Sequence, residues 1–329
     1  MIAITALHFP PINHFSSSVL LLFAVVLLKK LLTRIVNHQP FDFFNFYCQK
    51  LSDKVNKAQN PEKQQAIAGL VAVVITLLPL VVILWLFELF IEVPWLWQAL
   101  LLYLAMGRFN LAASSKSVAQ ALVANQSYVA KQTLQPLLLR DTAPLSKIGL
   151  SKSCIEMQLL RTMQQNFVVI CHFLVFGPLA ALSYRLLLEM HYSWNVKQNT
   201  FRAFGQQVSM LVNVLQWLPV RLFTLIMLLM FSKHNLLLFW RLINDKIFQL
   251  NNDIALHCLA LNLQIKLGGV AMYEGVKLAK LSFNDHARQP EPTDIIHTST
   301  QLTYTLMICS VLLIIISALV LVVQLSSAT

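Results

Sequence analysis

The stretch AIAGLVAVVITLLPLVVILWLFELFI at positions 66–91 decides the fold, because Glu88 is its only ionised side chain. A helix needs about 20 mostly apolar residues to cross the hydrocarbon core of a bilayer. The rest of the chain shares this bias: 57% of the 329 residues are hydrophobic and 12% are charged, whereas a soluble domain carries about 25% charged residues. The sequence therefore predicts an all-α, polytopic membrane protein and excludes the soluble, fibrous, disordered and disulfide-stapled classes.

Five further apolar stretches predict membrane spans, at positions 18–32, 95–108, 167–188, 208–231 and 302–324. The stretch at 95–108 is the shortest and ends beside Arg108, so the sequence leaves open whether it crosses the membrane completely. Together with 66–91, these stretches predict a single membrane domain over 1–329 with about six transmembrane helices.

The basic residues between the predicted spans indicate the orientation. Segments 29–65, 107–166 and 232–301 hold seven Lys and Arg residues each, whereas 92–94 holds none and 189–207 holds two. An excess of Lys and Arg marks the cytoplasmic side of a bacterial inner membrane. We therefore expect three cytoplasmic segments and two periplasmic termini. This pattern explains the net charge of +11 without a nucleic-acid partner.

The predicted cytoplasmic segments carry helical patterns of their own. Apolar residues recur at helical spacing over 110–139, and a second helix is predicted over 151–163 with Ser151 as its N-cap. A third helix is predicted over 236–267, where the adjacent glycines Gly268 and Gly269 are typical of a C-cap and a sharp turn. These helices would form a layer on the cytoplasmic face of the membrane domain.

Three features of the sequence are candidates for a site, and each also has a purely structural explanation. Arg140-Asp141-Thr142 would suit phosphate or a metal ion, or form a turn with an Asp cap. Glu156 would serve as a ligand or acid–base group, or pair with Lys152 on a helix surface. Arg221, in a predicted span, would be functional or reach the headgroups past Pro219.

The order of several short motifs resembles the CobD/CbiB cobalamin-biosynthesis family and its relatives, the AmpE-type membrane proteins. The resemblance covers roughly positions 70–320. The residues that carry it are Arg140-Asp141-Thr142, Glu156, Gly177-Pro178 with Tyr184, Phe204-Gly205, Leu218-Pro219-Val220-Arg221-Leu222, and Leu267-Gly268-Gly269 with Tyr273 and Gly275.

The resemblance implies an amide ligation, dependent on ATP and Mg²⁺, that joins aminopropanol or its phosphate to the corrinoid adenosylcobyric acid. It implies catalytic roles for Asp141 and Glu156, which are also the open candidates for Mg²⁺ ligands. It implies substrate-binding roles for Arg140, Thr142, Arg221, Gly268, Gly269 and Tyr273. The partners are the lipid bilayer and a corrinoid, while a homo-oligomer and complexes with other membrane proteins both stay open.

The chain departs from the family at its acidic positions. The family's Glu-Asn-x-x-Asp-Gly run matches Leu160, Arg161, Gln164 and Gln165, its Asn-Thr-Leu-Asp-Ser segment matches Leu188 to Tyr192, and its paired aspartates match Val212 and Asn213. Mg²⁺ requires oxygen ligands, chiefly carboxylates and phosphates. A second hypothesis therefore stands beside the ligase: a catalytically degenerate, AmpE-like membrane sensor or regulator.

Overall fold

The computed structural model describes residues 14–32, 41–107, 111–231, 239 and 251–328, and most of them are helical. The α-helices are α1 (His14–Leu32), α2 (Asp42–Val55), α3 (Glu62–Glu88), α4 (Pro94–Ala105), α5 (Leu111–Val123), α6 (Ser127–Leu134), α7 (Lys147–Thr162), α8 (Val168–Phe176), α9 (Pro178–Ser193), α10 (Gln206–Phe231), α11 (Asn252–Leu263) and α12 (Pro292–Ala328). A π-helical turn, Met163–Phe167, joins α7 to α8. Four short strands follow α11: β1 (Leu267–Gly268), β2 (Ala271–Tyr273), β3 (Val276–Leu278) and β4 (Ser282–Phe283).

Five helical stretches are long and apolar enough to cross a membrane: Phe15–Leu32, Glu62–Glu88, Lys147–Phe176, Gln206–Phe231 and Pro292–Gln324. Only 22% of the most apolar part of α3 and 6% of that of α12 is buried inside the protein. So much exposed apolar surface suits lipid and not water. The chain is thus an all-α, polytopic membrane protein, as the sequence predicted.

The weakest predicted span, 95–108, corresponds to the short helix α4. Its 12 residues extend about 18 Å at 1.5 Å per residue, whereas the hydrocarbon core is about 30 Å thick. Lys29 Nζ donates hydrogen bonds to the carbonyl oxygens of Tyr103 and Met106, at 2.6 and 2.5 Å, and so caps the carboxyl end of α4. Alone, α4 is too short to cross the membrane.

The predicted span at 167–188 is two antiparallel helices and not one. The chain reverses at Gly177, where φ is +86° and Pro178 begins α9. The hydroxyl groups of Tyr184 and Tyr192, both beyond the turn, donate to the backbone and side-chain oxygens of Gln164 at 3.1 and 2.7 Å. Apolar length alone predicted a single helix because it does not register the reversal that glycine followed by proline permits.

Two hydrophobic clusters meet along the chain between α7 and α8. The first joins α1 to α4, α8, α9 and the first half of α10, and it includes Trp194 and Phe204. The second joins α5, α6, α7, the second half of α10, α11 and the strands to the start of α12. The neighbours Phe167 and Val168 belong to different clusters, so the π-helical turn lies at their boundary.

The helical layer differs from its prediction in where its helices begin and end. The pattern over 110–139 forms α5 and α6, which are separated at Asn125, where φ is +58°. Helix α7 begins earlier than predicted: Ser146, not Ser151, is its N-cap, and its Oγ accepts the Gly149 N–H at 3.2 Å.

The predicted helix over 236–267 is described only in part. Positions 236–238 and 240–250 lie outside the described residues, and the described helix α11 ends at Leu263. Its C-cap is Gln264, with φ of +52°, so the prediction that the glycines cap the helix is wrong. Gly268 instead lies in β1, which pairs antiparallel with β4, while β2 pairs with β3.

Candidate functional site

A buried ion pair joins the loop after α6 to helix α7. Arg140 Nη2 lies 2.7 Å from Glu156 Oε2, and both side chains are less than 10% exposed. The other carboxylate oxygen, Oε1, accepts the backbone N–H of Gly268 at 2.9 Å. Glu156 therefore holds three separate chain segments together, and it does not pair with Lys152 as one sequence interpretation proposed.

Lys152, one turn before Glu156, contacts the same strand. Its Nζ donates to the carbonyl oxygen of Gly268 at 2.9 Å. Gly268 thus donates its N–H to one side chain of α7 and accepts from another. A side chain is excluded at this position, because a Cβ on Gly268 would lie 2.0 Å from the carbonyl oxygen of Leu281. The glycine permits the close approach of β1 to β4.

The two residues after Arg140 have different surroundings. The backbone N–H of Asp141 donates to Met272 O at 3.1 Å, and its Oδ2 accepts the Gly275 N–H at 2.9 Å. Within the described residues, Asp141 Oδ1 makes no hydrogen bond with protein and is available to a ligand. Thr142, in contrast, is buried, with its hydroxyl group hydrogen-bonded to Gln135 Oε1.

Charged residues that the sequence analysis did not single out surround Glu156. The charges of Arg140 and Lys280 act on Glu156. Lys197 and Asp253 interact electrostatically with Glu156, with Lys280 and with each other. We call Arg140, Lys152, Glu156, Lys197, Asp253 and Lys280 the Glu156 cluster. It contains four cations and two carboxylates, and its residues come from four distant parts of the chain.

The cations of this cluster crowd one another. Burial and the positive charge of Arg140 lower the pKa of Lys280, against the opposing effect of Glu156 and Asp253. The Lys197 side chain reaches solvent, but the protein around it and the charge of Lys280 lower its pKa as well. Burial raises the pKa of Asp253, while Lys197 and Lys280 oppose that shift. A bound anion would relieve the repulsion between the cations.

Tyr273 lies beside Lys280 at the edge of the Glu156 cluster. Its ring is buried, and Lys280 Nζ lies 5.0 Å from the ring centroid, within the range of a cation–π contact. The β2–β3 hairpin that carries Tyr273 also approaches the segment before α10, where the Thr200 hydroxyl group lies 3.4 Å from both carboxylate oxygens of Glu274. The predicted residues Arg140, Asp141, Glu156, Gly268 and Tyr273 thus converge, and Gly269 lies beside Lys152.

Arg221 does not belong to this group. Its Nη1 donates to the carbonyl oxygen of Trp217 at 2.6 Å, and the guanidinium lies 4.0 Å from the Trp217 ring centroid. Trp217 in turn lines an open groove of about 1100 Å³ beside α10, whose other lining residues include Lys63, Val196, Arg202, Met210, Asn213 and Asn251. Val196 and Asn251 lie next to Lys197 and near Asp253 in the chain, so the groove adjoins the Glu156 cluster.

A comparison with known protein families decides the lineage. The family model described as CobD/Cbib protein matches residues 22–303. The chain belongs to the CobD/Cbib family. The match includes the ion pair, the strands and the groove.

Curated relatives of this CobD/Cbib chain include three proteins named cobalamin biosynthesis protein CobD. The protein of Stutzerimonas stutzeri is 28% identical over 207 residues, which cover 63% of this chain and 68% of the relative. That of Chromobacterium violaceum is 30% identical over 175 residues, 53% of this chain and 56% of the relative. That of Leptospira interrogans is 23% identical over 206 residues, 61% and 65%. No solved structure matches the chain.

Two positions where this CobD/Cbib member departs from the family's acidic segments, Gln164 and Tyr192, are hydrogen-bonded to each other in the structure. Gln164 Nε2 donates to Gln216 Oε1 at 3.3 Å, and Gln216 Nε2 donates to the Tyr184 hydroxyl group at 2.9 Å. Arg161 Nη2 donates to Leu137 O at 2.9 Å. Amide and tyrosine side chains therefore form hydrogen bonds with one another at the boundary of the two hydrophobic clusters.

The side chains present do not fit a divalent metal ion held by the protein alone. In the ranges that the structure describes, no three His, Cys, Asp or Glu side chains lie close enough together to hold a metal ion. Both oxygens of Glu156 are engaged by Arg140 and Gly268, which leaves Asp141 with one available oxygen. Mg²⁺ prefers six oxygen ligands in octahedral geometry, which these side chains do not supply.

Proposed function

We propose that this protein acts in cobalamin biosynthesis and binds a corrinoid and a small anionic co-substrate at the membrane. The match to the CobD/Cbib family over residues 22–303 and the names of the relatives support this proposal. They do not favour the alternative of an AmpE-like regulator. The observation that carries the proposal is the Glu156 cluster, which gathers the family-like residues into one cationic site.

The cluster would bind the phosphate group of an amino-alcohol phosphate or of ATP. Lys197 and Lys280 are the cations best placed for this, since Arg140 is already paired with Glu156. Bound phosphate would favour the charged forms of both lysines. ATP would supply the activation of a carboxyl group. Arg140 and Glu156 would position β1 and would not react themselves.

Asp141 would orient the amine. Its free Oδ1 would accept a hydrogen bond from the neutral amino group of an aminopropanol-like co-substrate, and the same oxygen would take the one proton that this nitrogen loses as it bonds to the activated carboxyl carbon and the activating phosphate group leaves. The Gly275 N–H holds the other oxygen, so the carboxylate is fixed in orientation. The catalytic role of Asp141 therefore stays a prediction, and Oδ1 is the atom to which it is assigned.

The groove beside α10 would hold the corrinoid. Pockets for small molecules and cofactors commonly measure about 300–1,000 Å³, and this groove of about 1100 Å³ suits a large ligand. Met210, Val214 and Trp217 offer apolar surface, while Lys63 and Arg202 offer positive charge to the propionate carboxylate of such a ligand.

We further propose that the protein lies in the bacterial inner membrane, multi-pass, with both termini periplasmic. The basic segments support a cytoplasmic position for the Glu156 cluster. The Ser16 hydroxyl group donates to Ser317 O at 3.4 Å, which supports placing the start of α1 and the last part of α12 on the same side.

The test is a titration of the purified full chain in detergent with adenosylcobyric acid, with and without aminopropanol phosphate and ATP–Mg²⁺. Corrinoid absorbance measures binding, and mass spectrometry measures the amide product. We expect corrinoid binding in the parent protein, product formation that is lost in Asp141→Ala, and weaker co-substrate binding in Lys280→Gln. Lys54→Gln, at an exposed position of α2 outside the groove, is the matched control. No corrinoid binding at all would contradict the proposal.

A further inference from the structure

A second buried arginine lies on α9 and has an incomplete set of partners. Arg185 is 5% exposed, and its Nη2 lies 2.5 Å from Glu189 Oε1, one turn along the same helix. Its Nε and Nη1 atoms are buried and have no hydrogen-bond partner within the described residues. Guanidinium Nε carries one N–H and Nη1 carries two, so three buried donors lack an acceptor.

The surroundings of Arg185 add positive charge and not negative charge. Arg161 lies close enough for the charges of Arg185, Glu189 and Tyr192 to act on it. The guanidinium of Arg161 is 5.9 Å from the Tyr192 ring centroid, and its hydrogen bond goes to a backbone carbonyl, Leu137 O. Among the described residues, Glu189 is the only carboxylate in an ion pair with either arginine.

An aromatic ring lies beside the guanidinium of Arg185. The guanidinium lies 4.9 Å from the ring centroid of Phe41, which precedes α2 and is itself buried. The Trp194 Nε1–H donates to Cys48 O at 3.1 Å and fixes α2 over the end of α9. We call Phe41, Arg161, Arg185, Glu189 and Tyr192 the Arg185 pocket.

Buried polar groups are almost always hydrogen-bonded, and an unpartnered one calls for a water molecule or an ion. Water would satisfy the N–H groups but not the charge, since two guanidinium groups face one carboxylate. An uncompensated buried charge is costly. Arginine remains protonated, so the pocket cannot reduce that cost by losing a proton.

We propose that the Arg185 pocket binds a compact anion, such as a phosphate or carboxylate group or a halide, through Nε and Nη1 of Arg185. This site is separate from the Glu156 cluster and does not depend on the proposed corrinoid function. The anion would supply the missing negative charge between α7 and α9. It would thereby stabilise the packing of the α8–α9 hairpin on the π-helical turn.

The test uses the full chain in detergent, in a Lys197→Gln/Lys280→Gln background that removes anion binding at the Glu156 cluster. Thermal unfolding and calorimetric titration are followed with phosphate, acetate and chloride at an ionic strength held constant with bulky gluconate. We expect a saturable rise of the melting temperature with at least one of the three anions. Arg185→Gln should weaken that binding by about tenfold or more, because a hydrogen bond to a charged group is lost.

Glu189→Gln provides the opposite change in the same pocket. It removes the competing carboxylate and should tighten anion binding by about fivefold or more, which keeps the test decisive if Arg185→Gln fails to fold. A melting temperature independent of all three anions in both the background protein and Glu189→Gln would mean that water fills the pocket, and would overturn the proposal. Undiminished binding in Arg185→Gln would overturn it too.

Discussion

Two buried Arg–Glu pairs in this protein have the same chemistry but different surroundings. Arg140 and Glu156 are 16 positions apart and join a loop to a helix, and Gly268 occupies the second carboxylate oxygen. Arg185 and Glu189 are one helical turn apart, and two nitrogen atoms of Arg185 lack partners among the described residues. The first pair fixes the tertiary structure, whereas the second leaves hydrogen-bonding capacity for a ligand.

The comparison teaches that burial and an ion pair do not by themselves identify a binding group. Glu156 looks like a catalytic carboxylate in sequence, yet all its oxygen atoms are engaged by protein. Arg185 looks like half of a local ion pair, yet it holds the unsatisfied donors. A complete count of partners for each polar atom distinguishes the two cases.

The largest effect is expected for Glu156→Gln. The substitution leaves Arg140 charged and buried without a carboxylate, which costs about 3–5 kcal/mol in comparable pairs. The free energy of unfolding in mixed detergent micelles should fall by that amount. Glu274→Gln, an exposed carboxylate near Thr200, is the control and should change little. A loss below about 1 kcal/mol for Glu156→Gln would mean that the pair does not hold the fold.

The next largest effect is expected in the segment from β1 to β4. Two glycines there allow the cost of steric exclusion to be compared with the cost of backbone strain. Gly268 and Gly275 both have left-handed φ angles, +71° and +76°. A Cβ at Gly268 would meet backbone at 2.0 Å, whereas nothing lies within 4 Å of one at Gly275. Gly275→Ala should therefore cost about 1–3 kcal/mol through strain alone, and Gly268→Ala should cost more and detach β1 from Glu156. Equal losses in thermal unfolding would show that the close approach to Leu281 is not required.

The sequence predicted the all-α membrane fold well because apolar length is a strong and local signal. It did not predict the reversal at Gly177, since the hairpin of α8 and α9 has the same composition as one long helix. It also placed the N-cap of α7 at Ser151, because Ser146 and Ser151 are equally suitable residues. Only the packing of α7 decides between them.

The candidate site was predicted in part. The family resemblance pointed to Arg140, Glu156 and Gly268, which meet in the structure. Lys197 and Lys280 carried no motif, and their approach to Glu156 depends on contacts between distant segments that no spacing rule encodes. Thr142 and Arg221 carried family-like motifs, but their side chains contact Gln135 and Trp217.

A smaller effect should appear in the pH dependence of anion binding. Burial and Arg140 lower the pKa of Lys280, so its ammonium group loses its proton at a lower pH than an exposed lysine does. Sulfate binding at the Glu156 cluster should therefore weaken as pH rises from 7 to 9.5, by up to about tenfold per pH unit above that pKa. Lys280→Gln should remove the part of this slope that Lys280 contributes.

The Arg185 pocket provides the contrast in the same titration. Guanidinium groups stay protonated over this range, so sulfate binding there should vary less with pH than binding at the Glu156 cluster. Calorimetry at four pH values, in the parent protein and in the Lys197→Gln/Lys280→Gln background, separates the two sites. An equally steep pH slope in that background would mean that a lysine and not Arg185 binds the anion.

The smallest effect is expected at the start of α7, the helix that carries both Glu156 and Arg161. Ser146 Oγ accepts the Gly149 N–H at 3.2 Å, and removing such a cap costs typically about 1 kcal/mol. Ser146→Ala should lower the unfolding free energy by that amount and speed hydrogen exchange in the first turn of α7. Ser117→Ala, in the exposed interior of α5, is the matched control and should be neutral. Because Lys152 and Glu156 follow the cap closely while Arg185 lies on α9, the variant should weaken sulfate binding at the Glu156 cluster and leave the Arg185 pocket unchanged. Equal weakening at both sites would mean that a change at the start of α7 is transmitted along the helix and the π-helical turn to the Arg185 pocket.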